Sequence, residues 1–157
     1  MSTVVDYAGR TVDLLAFQDE KVGQAALLTQ LLVKDGERGE ITTGIQKLAQ
    51  RWLVEFLTIR GSLRAAPTRG SRFINDLRTG QIRTTVDAEQ SFYLSARQVA
   101  TNLKIEEEAG IPSDEAYRSV DLENIAVTGD QISVTVLLSS VAGENAQVIF
   151  PIPIKVL

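Results

Sequence analysis

Neither cysteine nor histidine occurs in the 157 residues. The first absence removes disulfides, thiolate nucleophiles and cysteine-bound iron–sulfur clusters. The second removes the usual zinc sites, the Ser-His-Asp triad and the imidazole general base. What is left for an enzyme is carboxylate chemistry, a lysine base or a phosphate cradle. No apolar run approaches the roughly 20 residues that a membrane-spanning helix needs. The opening Met1-Ser2-Thr3-Val4-Val5-Asp6 lacks the basic start and apolar stretch of a signal peptide. The expectation is a soluble chain with no metal and no cofactor, not secreted by that route.

What is present is an ordinary globular mixture, 44% apolar and 23% charged. A chain of this length favours one domain that buries about two-thirds of its unfolded surface. The net charge of -4 hides a segregation. Between Arg60 and Arg83 six arginines (Arg60, Arg64, Arg69, Arg72, Arg78, Arg83) face one acid, Asp76, giving +5. Between Glu106 and Glu144 nine acids face Arg118 alone, giving -8. Such asymmetry suggests surfaces of opposite sign that meet within one molecule or between neighbours.

Apolar periodicity places the elements. Ala25–Val33 is apolar and runs into the turn chemistry of Lys34-Asp35-Gly36-Glu37-Arg38-Gly39, as a strand or a short helix. Ile45, Leu48, Ala49, Trp52, Leu53, Phe56 and Leu57 recur at helical spacing, predicting a helix over Thr43–Thr58 capped by Thr42 or Thr43. Trp52 lies on that stripe and is expected in the core. Ile59–Thr85 is rich in Gly, Arg and Thr, too long for a plain connection, and is expected to fold onto the core or to make contacts. A second helix over Asp87–Glu106 carries Phe92, Ala96, Val99 and Leu103, with Asp87 and Gln90 as a capping box. From Val120 to Ile154 the period changes to two, which predicts a three-stranded antiparallel meander. Pro151 and Pro153 remove N–H groups from one side of its last strand. The fold class is α+β: two main helices packed on a small sheet ending in that C-terminal meander.

The chemistry on offer is thin. Glu106-Glu107-Glu108 could suggest a catalytic carboxylate pair, but that chemistry needs two carboxyls facing each other about 5–9.5 Å apart. Consecutive helical residues point about 100° apart, so a solvated helix end is the plainer reading. Three acids also oppose the macrodipole at a helix C-terminus, which hints that a basic partner or solvent sets the sequence there. Gly61, Gly70 and Gly80 among arginines resemble a phosphate loop, yet no Walker pattern is present. Nucleic acid is disfavoured by the acidic balance and by Phe73 as the cluster's single aromatic. Arginine without lysine suits planar pairing with carboxylates at protein interfaces. The six arginines are therefore the candidate partner interface, and no catalytic residue is assigned.

One block of residues carries a resemblance. Leu57-Thr58-Ile59-Arg60-Gly61 closes a helix and is followed by Pro67-Thr68-Arg69-Gly70-Ser71-Arg72-Phe73, then by a helix and a meander. Upstream, Gly39-Glu40-Ile41-Thr42-Thr43-Gly44 precedes the first helix. This order resembles the phage baseplate assembly protein W family, the tail lysozyme-like family, over Gly39–Ile154. Members often carry Pro-Gly-Glu-Arg after the helix, where this chain has Arg60-Gly61-Ser62-Leu63, so no contact through that acid carries over. The resemblance implies a non-enzymatic wedge component of a contractile-tail baseplate that initiates sheath assembly. Its partners would be other wedge proteins and the tail sheath protein, in several copies per six-fold baseplate, with no nucleic acid and no membrane. Its place would be the virion, with assembly in the host cytoplasm. On that reading residues 1–38 form an N-terminal arm or strand region and 39–157 the wedge domain, together one compact unit. A peptidoglycan hydrolase and a regulatory adaptor on the same fold are the alternatives.

Overall fold

A computed structural model of the protein describes residues 13–14, 41–108 and 110–154. The expected element at 25–33 and its turn lie outside the described residues. The order is β1 (Asp13–Leu14), β2 (Ile41–Thr42), α1 (Gly44–Leu57), α2 (Phe73–Arg78), α3 (Thr85–Glu107), β3 (Tyr117–Thr128), β4 (Gln131–Ser140) and β5 (Asn145–Pro153). β1 and β2 pair antiparallel, and β3-β4-β5 form a separate antiparallel sheet with β4 in the centre. Helix α1 lies over β4 and β5, α3 over β3, and α2 packs on both helices. No helix among the described residues is long and apolar enough to cross a membrane.

Each layer supplies the face that its periodicity promised. Leu48, Ala49, Trp52, Leu53 and Phe56 of α1 are buried against Phe92, Ala96, Val99 and Leu103 of α3 and against the inward residues of the sheet. Ile132, Val134, Val136 and Leu138 alternate into the core along β4, as do Ala146, Val148, Phe150 and Ile152 along β5. Phe56 sits at the hub, its ring centroid 4.9 Å from Trp52, 5.1 Å from Phe73, 5.4 Å from Phe92 and 5.8 Å from Phe150. One ring thus ties α1 to α2, α3 and β5, and aromatic pairs contribute about 0.5–1.5 kcal/mol each beyond their buried area.

Three expectations change in detail. The Ile59–Thr85 stretch contains the short helix α2, which inserts Phe73, Ile74 and Leu77 into the core, followed by Ile82. Helix α3 starts two residues before Asp87. Thr84 is its N-cap, accepting from the Asp87 N–H while the Asp87 carboxylate accepts from the Thr84 N–H. Asp87 therefore occupies the third helical position rather than the cap, and its carboxyl is held below the usual value by the N–H groups of Arg83 and Thr84 and the Thr84 hydroxyl. Helix α1 begins after Thr43 as expected, but the Thr43 side chain makes no capping bond. Its first N–H, on Gly44, instead reaches the Glu115 carboxylate at 3.3 Å, from 71 residues further along the chain.

Candidate interaction surfaces

The segment between α1 and α2 is a closed loop. Its ends meet at a parallel bridge between Ile59 and Ser71, where the Ser71 N–H donates to the Thr58 carbonyl (2.8 Å) and the Arg60 N–H to the Ser71 carbonyl (3.0 Å). The Ser71 hydroxyl adds a bond to the Phe56 carbonyl at 2.6 Å. Successive turns then fold the loop on itself, with N–H groups of Ser62, Ala66 and Arg69 donating to the carbonyls of Ile59, Leu63 and Ala66. A compact surface loop with joined ends is an Ω-type element, a frequent carrier of function.

Glu55 closes it from below. This residue is only 4% exposed, and both carboxylate oxygens are spent on the loop and its support. One accepts from the Gly70 N–H (2.7 Å) and Asn102 Nδ2 (2.6 Å); the other accepts from Arg69 Nε (2.8 Å) and pairs with Arg69 Nη2 (2.7 Å). A buried carboxylate holds its charge only when paired and fully hydrogen-bonded, and removing one partner of such a pair typically costs about 3–5 kcal/mol. Gly70 is required here. Its φ is +91°, and a Cβ would sit 2.5 Å from the Thr58 carbonyl oxygen. The glycine that suggested a phosphate loop therefore does hold an anion, and that anion is the protein's own carboxylate.

The network continues across the molecule. Arg69 Nη1 reaches Glu106 at 3.0 Å, and Arg51 from α1 reaches the same carboxylate at 2.9 Å. Arg51 also lies 3.6 Å from Glu107 and donates to the Glu115 carbonyl at 3.2 Å. Glu107 accepts the Tyr117 N–H at 2.9 Å, and Lys47 pairs with the buried Glu115 at 2.8 Å. The end of α3 thereby binds α1, the loop and the start of β3. Burial pushes the Glu106 carboxyl upward, but hydrogen bonds and charge from Arg51 and Arg69 outweigh it and hold the group below its ordinary value. Burial wins at Glu107, whose carboxyl is raised despite the Tyr117 N–H and Arg51. The basic partner that the acid run called for is intramolecular: Glu106 pairs with Arg51 and Arg69 although 44% of its side chain is exposed, Glu107 is half-buried, and Glu108 is exposed.

The six arginines divide into working and idle groups. Arg69 belongs to the Glu55–Glu106 network, and burial opposes its charge less than those two acids favour it. Arg72 forms a two-pronged pair with the buried Asp76 (2.8 and 3.2 Å), which also accepts the Ser91 hydroxyl at 2.7 Å. Arg83 donates to the Gly80 carbonyl at 2.9 Å. Arg60, Arg64 and Arg78 are exposed and make no side-chain hydrogen bond or ion pair among the described residues. Arg60 and Arg64 flank Leu63, itself 49% exposed, on the closed loop. Arg51, Glu55 and Asn102 were not anticipated as members of the site. The signal for Glu55 was present: it sits three residues after Trp52 and one before Phe56, on a face that should exclude a charge.

The sheet presents two unlike edges. Register between β4 and β5 is unbroken from Gln131↔Pro153 to Ser139↔Asn145, and the Ile154 N–H donates to the Asp130 carbonyl at 2.7 Å. Even-numbered residues of β5 therefore bond to β4, and odd-numbered ones turn outward. Pro151 and Pro153 fall on that outer edge, which lacks two donors. On β4 the odd residues remain for β3, pairing Ala126↔Ser133 and Thr128↔Gln131. The backbone groups of Ile125 and Val127 consequently face the outer edge of β3, where no main-chain partner is present among the described residues. A bulge between Leu122 and Asn124 bends this strand.

No group of acids among the described residues is arranged to hold a metal ion. Comparisons with family models, with curated proteins and with solved structures find no match to this chain.

Proposed function

We propose that the protein is a structural wedge component of a contractile-tail baseplate, joining the wedge core and starting sheath assembly. The observation that carries this reading is the asymmetric sheet: one edge blunted by Pro151 and Pro153, the other without a main-chain partner along Ile125–Val127 among the described residues. An open edge accepts a strand from a partner through main-chain bonds, a mode that needs no particular side chain. A sheath subunit would supply that strand. The order of helix, closed loop, helix and meander that carries the family resemblance is also the order of elements in the fold. Other wedge proteins are the neighbours on this reading, several copies surround a six-fold baseplate, and the protein resides in the virion tail after assembly in the host cytoplasm. The hydrolase alternative has less support, since Glu106 and Glu107 are both engaged in ion pairs or hydrogen bonds.

The test is negative-stain electron microscopy of particles lacking this gene, complemented with wild type or with Val127→Pro. The substitution removes an outward N–H while leaving the β4 ladder intact. Sheathless tails or incomplete baseplates are expected without the gene, and sheathless tails with the proline variant. Intact contractile tails from the knockout would refute the wedge assignment.

A further inference from the structure

We infer that the closed loop between Ile59 and Ser71 is a pre-formed docking element whose exposed first half, Arg60, Leu63 and Arg64, seats on a carboxylate-bearing protein surface. The inference deepens the wedge reading by naming the chemistry of the neighbour, and rests on it only for where that neighbour stands.

The loop is built as a part that must keep its shape. Its ends are joined by the Ile59–Ser71 bridge, three internal turns fix its path, and the buried Glu55 fastens Arg69 and Gly70 from beneath. Burying a carboxylate solely to hold a surface loop is expensive, and every partner of Glu55 belongs to that loop or to Asn102, which also donates to the loop carbonyl of Thr68 at 3.2 Å. An element ordered in the free protein loses little further entropy when it binds. The arginines of the segment therefore serve two purposes. Arg69 fastens the loop, whereas Arg60 and Arg64 project from it with no partner among the described residues and with Leu63 between them.

The chemistry of these exposed residues selects the partner. No acid lies between Arg60 and Ser71, so with Arg69 neutralised by Glu55 and Glu106 the exposed loop is cationic. Two guanidinium forks and an exposed leucine on one short loop match a protein patch that offers carboxylates together with an apolar contact. Phosphate backbones favour clustered lysine and arginine over a broad basic field, whereas this chain carries a net charge of -4 and has no lysine in the segment.

The experiment uses the full chain and two fluorescein-labelled probes: a short helical peptide with Glu and Leu alternating along one face, and a short DNA duplex. Fluorescence anisotropy should show the peptide bound in preference to the duplex. Arg60→Glu with Arg64→Glu should weaken peptide binding about tenfold or more. Replacing both by Lys should weaken it several-fold although charge is kept, because the fork is lost. Arg97→Glu with Lys104→Glu on the exposed face of α3 should change little. Absence of peptide binding, indifference to the Glu pair, or tighter DNA binding that tolerates lysine would each overturn the inference. Sheathless tails from Val127→Pro together with any of those outcomes would leave the wedge reading standing and remove this one.

Discussion

Replacing Gly70 by alanine separates the closed loop from every other source of stability, because Gly61 in the same loop serves as its control. Both glycines have positive φ, +91° and +85°, so alanine at either meets the left-handed penalty of about 1–2 kcal/mol. A Cβ at Gly61 has no atom within 4 Å and adds nothing more. At Gly70 it would lie 2.5 Å from the Thr58 carbonyl oxygen and 3.0 Å from the Arg60 nitrogen, both backbone atoms that cannot swing aside. The strand of loop must lift, and the first bond to go is the Gly70 N–H to Glu55, a contact to a charged group contributing about 1.5–3 kcal/mol. The sum for Gly70→Ala is about 2.5–5 kcal/mol, a large part of the 5–15 kcal/mol that typically holds a domain together. For a chain of this size each kcal/mol moves the midpoint by about 2–4 °C, so Gly70→Ala should melt about 5–20 °C lower and Gly61→Ala about 2–8 °C lower. Thermal unfolding followed by far-UV circular dichroism reads both. Equal melting of the two variants would refute the claim that Glu55 and the Thr58–Ser71 closure hold the loop.

Acid should act on the end of α3 with two signs. Glu106 is held below its ordinary value, so its stabilisation is complete above the unfolded value of about 4.3 and is lost as pH falls through the lower folded value. Glu107 is raised, so it imposes a penalty above its folded value that is relieved as pH falls from there towards about 4.3. Urea titrations over pH should therefore show Glu106→Gln flattening the loss of stability on the acid side, and Glu107→Gln tolerated at neutral pH; a Glu107→Gln chain that fails to fold at pH 7 would contradict the second half. On the sheet, Pro151→Val with Pro153→Val restores two outward donors to β5, and light scattering should show more self-association than in the parent. A monomeric double variant would show that something other than the prolines protects this edge.

Much of the architecture could be read from local pattern, and the misreadings have physical causes. The stripes of α1 and α3 and the period-two meander are repeated over enough residues for the hydrophobic faces to declare themselves. Helix α2 has six residues in a glycine- and arginine-rich stretch, too few turns to show a period. At α3 the chain offers two overlapping capping boxes, Thr84 with Asp87 and Asp87 with Gln90. The earlier one prevails because an Asp87 carboxylate at the third position accepts the N–H groups of both Arg83 and Thr84. The ion-pair network was the least legible part. Glu55 meets Asn102 across 47 residues and Arg51 meets Glu106 across 55, distances that only the packed helices decide. Composition did register that cations and acids were segregated; it could not distinguish Arg69, which is consumed within the molecule, from Arg60 and Arg64, which are not.

The unlike edges of the sheet also give the molecule a direction. A ladder that is open on one flank among the described residues and short of two donors on the other favours one added strand over continued pairing through the sheet. Such a unit counts to one. In an array joined by strand pairing alone, a unit of this kind would stand at an end, and growth from it would have one sense.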